Sequence, residues 1–143
     1  MPSTALDPRT AAARLVEDHD EAWLNRFAEE VGRRLTGRGL ERVMRLWQLS
    51  RTELGELFGV SRQAASKWLE GGVPPERAAL VADLEAMTDL LERYLKPGRI
   101  PAVVRRRAPR LGGASLLELV EAGRSAEALA RTREMFVFGD LHR

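Results

Sequence analysis

The chain has 143 residues, 44% of them hydrophobic and 31% charged, which suits one domain or two small modules around a shared core and excludes a disordered chain. It has no cysteine and only two histidines, His19 and His142, which excludes disulfides, thiolate metal centres, a cysteine nucleophile and a helical histidine pair for a metal. The formal net charge is only +2, yet Lys96, Arg99, Arg105, Arg106, Arg107 and Arg110 fall within residues 96–110 with no acid among them, a concentration of charge that points to an anionic partner.

Sustained alternation of β-branched and polar residues is missing, and apolar residues recur at helical spacing, so an all-α fold is expected. A first helix is expected after Pro8, since proline is tolerated at the first helical position. Leu24, Phe27, Ala28, Val31 and Leu35 step by three and four, which predicts an amphipathic helix over about residues 20–36, capped by Asp18 or Asp20. Gly37 and Gly39 are expected to break it, and Leu40, Val43, Met44 and Trp47 mark a second stripe ending near Leu49. Ser50 with Glu53 forms a capping box for a helix from Arg51, whose inner face is Leu54, Leu57 and Phe58. Gly59 stops that helix, and Ser61 caps a short one reaching Leu69. After the breaker run Glu70–Pro75, a long helix is predicted to about Leu95, with Leu80, Leu84, Met87, Leu91 and Tyr94 inward. A short helix is expected near Pro101–Arg106, then an irregular stretch to Gly113. A second capping box, Ser115 with Glu118, opens a helix that stops at Gly123. Ser125 is expected to cap a last helix to about Met135, leaving an apolar tail with Phe136 and Phe138 that docks on a partner or on its own domain. Three regions follow: an N-terminal helical segment over 1–36, a helix-turn-helix bundle with its long connecting helix over 37–96, and a small C-terminal helical domain with the tail over 97–143.

The stretch Arg51–Leu69 meets the physical demands of a helix-turn-helix. Gly55 allows close approach of two helices, and Gly59 supplies a positive φ at the turn. Leu54, Phe58, Val60, Ala65 and Trp68 pin the second helix to the first, while Arg62, Gln63, Ser66 and Lys67 carry hydrogen-bonding groups outward, where base edges would lie. Arg51–Glu70 balances three bases against three acids, so phosphate neutralisation is expected from neighbours such as Arg38, Arg42 and Arg45, or from a dimer. Chemistry of other kinds finds little support. Asp18-His19-Asp20 reads as a helix cap, and there is no phosphate-binding glycine loop, serine elbow or zinc-binding helix motif. No catalytic residue, metal site or cofactor is expected, and the chain is not expected to be an enzyme. With no run of about eighteen apolar residues and no secretory pattern in Met1–Asp18, a cytoplasmic location without membrane contact is expected.

Two resemblances extend this reading. Arg51–Leu69 resembles the Xre/Cro-type repressors, in which the recognition helix is followed by W-x-x-G and proline; here these are Trp68-Leu69-Glu70-Gly71 and Pro74-Pro75. The resemblance places base contacts on Arg62, Gln63, Ser66 and Lys67. Ile100–Met135 resembles the toxin-binding domain of the Xre/MbcA/ParS-like antitoxins, through Ile100-Pro101-Ala102, Arg105-Arg106, Pro109-Arg110-Leu111-Gly112-Gly113, Leu117-Glu118-Leu119-Val120 and Gly123-Arg124. Val103, Ala108 and Leu116 stand where that family usually has Trp, Asn and Pro. This second resemblance implies an antitoxin that occludes the active site of a RES-domain, NAD-consuming toxin and represses its own operon at operator DNA. The expected toxin contacts are Arg105, Arg106, Arg110, Leu111, Gly112 and Gly113, with Phe136 and Phe138 from the tail. The expected assembly is a homodimer or a toxin–antitoxin hetero-oligomer; the alternative is a free-standing dimeric Xre-type regulator without a toxin.

Overall fold

The computed structural model describes residues 7–141, with side chains as far as Val137. It is all-α: eight α-helices and no strand occur among the described residues. None of these helices is long and apolar enough to cross a membrane.

Helix α1 (Pro8–Asp18) is capped by Asp7, whose carboxylate accepts from the Thr10 N–H at 3.3 Å. His19 is extended and ends it. Helix α2 (Glu21–Trp47) starts at an Asp20 cap, with Oδ1 accepting from the Trp23 N–H at 2.8 Å. It then runs unbroken through Gly37 and Gly39, where the sequence predicted a break. The reason lies in packing. A Cβ on Gly37 would sit 3.0 Å from the Trp68 carbonyl oxygen, and one on Gly39 would meet the Glu85 carboxylate. Gly37 lets the backbone of α4 approach the helix closely, and Gly39 leaves room for the Glu85 side chain. The roughly 1 kcal/mol that each costs in a helix interior is offset by burial of Leu40, Val43 and Trp47 just beyond them.

Gln48 takes a left-handed conformation (φ 51°) and closes α2. Helix α3 (Arg51–Phe58) begins with the predicted capping box: Ser50 Oγ accepts from the Glu53 N–H at 3.0 Å, and Glu53 Oε1 accepts from the Ser50 N–H at 2.9 Å. Helix α4 (Arg62–Gly71) is capped by Ser61. A 3₁₀ turn at Pro75–Arg77 leads into the long α5 (Ala78–Tyr94), and another at Pro97–Arg99 into α6 (Ile100–Arg105). A third, Pro109–Leu111, breaks up the stretch predicted to be irregular. The second capping box opens α7 (Leu116–Glu121).

The last helix, α8 (Ser125–Leu141), differs from expectation at both ends. Ser125 is its first residue, and its hydroxyl donates to Asp83 of α5 at 2.8 Å. The helix also continues past Met135, through the segment expected to be an apolar tail.

One apolar cluster joins these elements. It runs from Leu40, Val43 and Trp47 of α2 through Leu54 and Phe58 of α3 and Leu84, Met87 and Leu91 of α5 to Ala128 and Leu129 of α8. At its centre the fully buried Trp47 donates its indole N–H to Thr88 at 3.0 Å, and Thr88 donates to the Leu84 carbonyl at 2.7 Å, so this buried polar pair is satisfied. Helix α1 and the first four turns of α2 contribute no buried residue. They form an arm on which His19, Trp23 and Phe27 stack in sequence, at centroid spacings of 3.5 and 5.1 Å. The apolar stripe predicted on this part of α2 is therefore present, but it faces outward.

Candidate nucleic-acid interface and partner groove

Helices α3 and α4 pack closely on each other across a glycine turn. A Cβ on Gly55 would lie 2.7 Å from the Val60 carbonyl oxygen, so only glycine lets the turn fold back on α3. Gly59 has φ +66°, and the next residue, Val60, donates its N–H to the Gly55 carbonyl at 2.9 Å. Leu54, Phe58 and Ala65 are buried, and the half-buried Trp68 meets Phe58 edge-on at 5.2 Å.

Arg77, just before α5, completes the unit. Its guanidinium donates to the Phe58 carbonyl and lies over the Trp68 ring, 5.8 Å from the centroid. It ties the end of α3 to Trp68 of α4. Nothing in the local sequence marks it, because its partners lie nine and nineteen positions away.

On the outer face of α4, Arg62, Gln63 and Lys67 are exposed and make no hydrogen bond or ion pair with other described residues. Ser66 is half-buried at the flank of this face. Three of the four predicted base-reading side chains thus stand free on one surface, with Ser66 beside them. The expected phosphate contacts divide. Arg42 is engaged within the fold, its Nη2 2.7 Å from both Asp89 and Glu92, which raises its pKa chiefly through the Glu92 hydrogen bond. Arg38 and Arg45 remain exposed.

The second candidate surface lies about 97–113 and the end of α8, and here the structure sorts residues that sequence placed together. Arg105 is a structural clamp and not a free contact. Its Nη1 donates to the Trp47 carbonyl at 2.7 Å and to the Pro101 carbonyl at 3.0 Å. Its Nη2 donates to the Gln48 carbonyl at 2.8 Å and approaches Glu53 at 3.4 Å. The Trp47 and Gln48 carbonyls lie at the end of α2, where carbonyls lack intrahelical partners and a cation is also favoured by the helix dipole. Leu111 is buried in the core. Gly112 and Gly113 close a tight turn at positive φ, their N–H groups bonded to the Pro109 and Ala108 carbonyls. Arg107 is paired with Glu118 through two hydrogen bonds of 2.8 and 3.1 Å.

Arg106 and Arg110 are exposed and unpaired among the described residues, as are Lys96 and Arg99. Arg106 and Arg110 rim an open groove of about 490 Å³ whose apolar wall is Val103, Met135 and Phe136. A shallower groove of about 470 Å³ adjoins it, sharing Val103 and Arg106 and extending to Arg99 and Leu95. Phe136 is half-buried and stacks on Tyr94 at 4.6 Å, so it belongs to the body as a wall of the groove. Its expected partner in the tail, Phe138, has its side chain outside the described residues. The resulting surface is cationic at its edges and apolar within. Set against protein-family models, curated proteins and solved structures, the chain gives no match in any of the three comparisons.

Proposed function

We propose that the protein is a DNA-binding antitoxin: α4 reads operator DNA, and the groove between α6 and the end of α8 holds a toxin. The observation that carries the DNA half is the α3–Gly59–α4 packing, which leaves Arg62, Gln63 and Lys67 exposed and unpaired among the described residues. Arginine and glutamine are the side chains that bond bidentately to guanine and adenine edges in the major groove. The motif has no net charge, so affinity draws on flanking arginines such as Arg45 and on doubling of the site. The toxin half rests on the groove and on the resemblance of Ile100–Met135 to antitoxin toxin-binding domains. Arg99, Arg106 and Arg110 provide charge for an acidic rim, and Val103, Met135 and Phe136 offer apolar surface to an anchor. That resemblance makes the partner a RES-domain toxin, neutralised by covering its cleft.

The test has two arms. Arg62→Ala/Gln63→Ala is expected to weaken binding to an operator fragment from its own promoter by about 1–3 kcal/mol per lost bidentate contact, at fixed salt and with unchanged melting. Arg106→Glu/Arg110→Glu is expected to keep that DNA affinity and to lose both co-purification with the co-expressed toxin and protection of the cells. Undiminished operator affinity in the first variant removes α4 as the reader, and full protection by the second removes the groove as the toxin site.

A further inference from the structure

We infer that the outward stripe on the first half of α2 is a self-pairing surface, on which the same helix of a second copy lies antiparallel. The stripe is apolar and largely exposed: Phe27 is 41%, Val31 40% and Leu35 56% accessible, and Leu24 is half-buried. Around the fourth and fifth turns, helix α2 meets the body through Arg33, Thr36, Gly37, Gly39 and Leu40. At 100° per residue, Leu24, Ala28, Val31 and Leu35 fall on the far side of the helix from Thr36, Gly37 and Leu40, and the body borders the stripe at its end, where Leu69, Glu70 and Glu85 lie across open grooves from Val31, Leu35 and Arg38.

The spacing of these four residues is four, three, four, which is the spacing of a heptad seam. Continuing the seam by three residues in each direction gives Glu21 at one end and Arg38 at the other. Both are exposed, and neither is paired among the described residues. The charge at the two ends decides both occupant and direction. In an antiparallel pair Leu24 faces Leu35 of the second copy, Ala28 faces Val31, and Glu21 faces Arg38, at both ends by the two-fold symmetry. In a parallel pair Glu21 would face Glu21 and Arg38 would face Arg38. Small Ala28 opposite larger Val31 also lets the helices close at the centre of the seam. The seam spans about 26 Å, so the pair is short and its dissociation is expected to be concentration-dependent. This pairing holds whatever α4 reads; if α4 reads DNA, it brings two such helices to one site.

The experiment is sedimentation of the full chain across a concentration series, beside crosslinking that uses the absence of native cysteine. The wild type is expected to move from monomer to dimer with rising concentration. Leu35→Glu is expected to hold it monomeric, with the melting curve of dilute wild type because the residue is exposed. Glu21→Arg and Arg38→Glu alone should each weaken the dimer by at least about ten-fold, and the double variant should restore it. Glu21→Cys mixed with Arg38→Cys should give an oxidised heterodimer of the two variants, while each alone should not crosslink. A wild type still monomeric at about 1 mM protein, the weak edge of specific association, overturns the inference. So does a dimer unaffected by Leu35→Glu, or self-crosslinking of each single cysteine variant, which would mean parallel helices.

Discussion

Arg105 sits where the last turn of α2, the start of α3 and α6 converge, and its Nη1 and Nη2 donors reach the Trp47 and Gln48 carbonyls at the end of α2 and the Pro101 carbonyl of α6. Arg105→Ala is expected to cost about 1–3 kcal/mol, toward the lower end because the guanidinium is about a third exposed and water takes over part of its bonding. Urea denaturation measures it. Arg105→Lys should recover only part of the loss, since an ammonium cannot reach both sides of the junction, whereas Arg106→Ala should be silent. Gly55 is a second decisive position. Gly55→Ala drives a methyl to 2.7 Å from a backbone oxygen that cannot move without opening the turn, so a loss of about 1–3 kcal/mol is expected by the same measurement. Sequence reasoning reached Gly55, because a small residue in a short helix before a glycine turn has few other uses. It did not reach the role of Arg105, because within a basic run every arginine looks alike. What separates Arg105 from Arg106 is contact with Trp47 and Gln48, almost sixty residues earlier.

Local signals set the helix starts. Ser50 with Glu53 and Ser115 with Glu118 were legible because the capping box is a bond pattern confined to four residues. The continuity of α2 and the length of α8 were not legible, because both depend on packing. Gly37 is a breaker by propensity and a contact point in the fold, and Phe136 continues α8 because Tyr94 of α5 offers it a ring to stack on. The two capping boxes also give the protein a pH signature. Glu53 is held below the usual glutamate value, first by the Ser50 N–H, with Arg105 adding to it, and Glu118 is held below it first by Arg107 and then by the Ser115 N–H. A carboxylate with a lower pKa folded than unfolded adds stability that is complete above the unfolded value and lost as pH falls through the folded one. Glu85 and Glu121 work the other way. Burial raises their pKa, so their cost near neutrality is relieved on acidification. The double variant Glu53→Gln/Glu118→Gln is expected to be less stable than wild type at pH 7, with the gap narrowing between about pH 5 and pH 3 as the wild-type caps are protonated. Thermal melts across that range check it, and a gap that stays constant would mean that neither carboxylate titrates out of its cap.

At the scale of the whole molecule the chain divides by burial: a continuous core spanning α2 to α8, and an arm of α1 and early α2 outside it. The all-α class and the tight glycine turn between α3 and α4 were readable from periodicity and turn chemistry. The direction in which the early α2 stripe faces was not, since a stripe for a core and a stripe for a partner have the same spacing. The same ambiguity governs the C-terminal end, and there a prediction separates the alternatives. Removing residues 135–143 deletes Phe136 and with it the stack on Tyr94, so the truncated protein is expected to melt several degrees lower; a loss of about 1–2 kcal/mol corresponds to roughly 2–8 °C at this chain length. Phe136→Ala should reproduce most of that shift. Loss of partner binding on truncation would therefore be ambiguous, because it could follow from loosening α8 against α5. Arg106 and Arg110 carry no such burden, as they are exposed and unpaired among the described residues. Reversing them should leave the melt within about 1 °C, since surface charges away from structural contacts rarely move stability by more than about 0.5 kcal/mol. A lowered melt in the truncation beside an unchanged one in the charge reversal makes Phe136 a structural wall and the arginines a working rim. An unchanged melt on truncation would return the aromatic segment to the role of a detachable anchor.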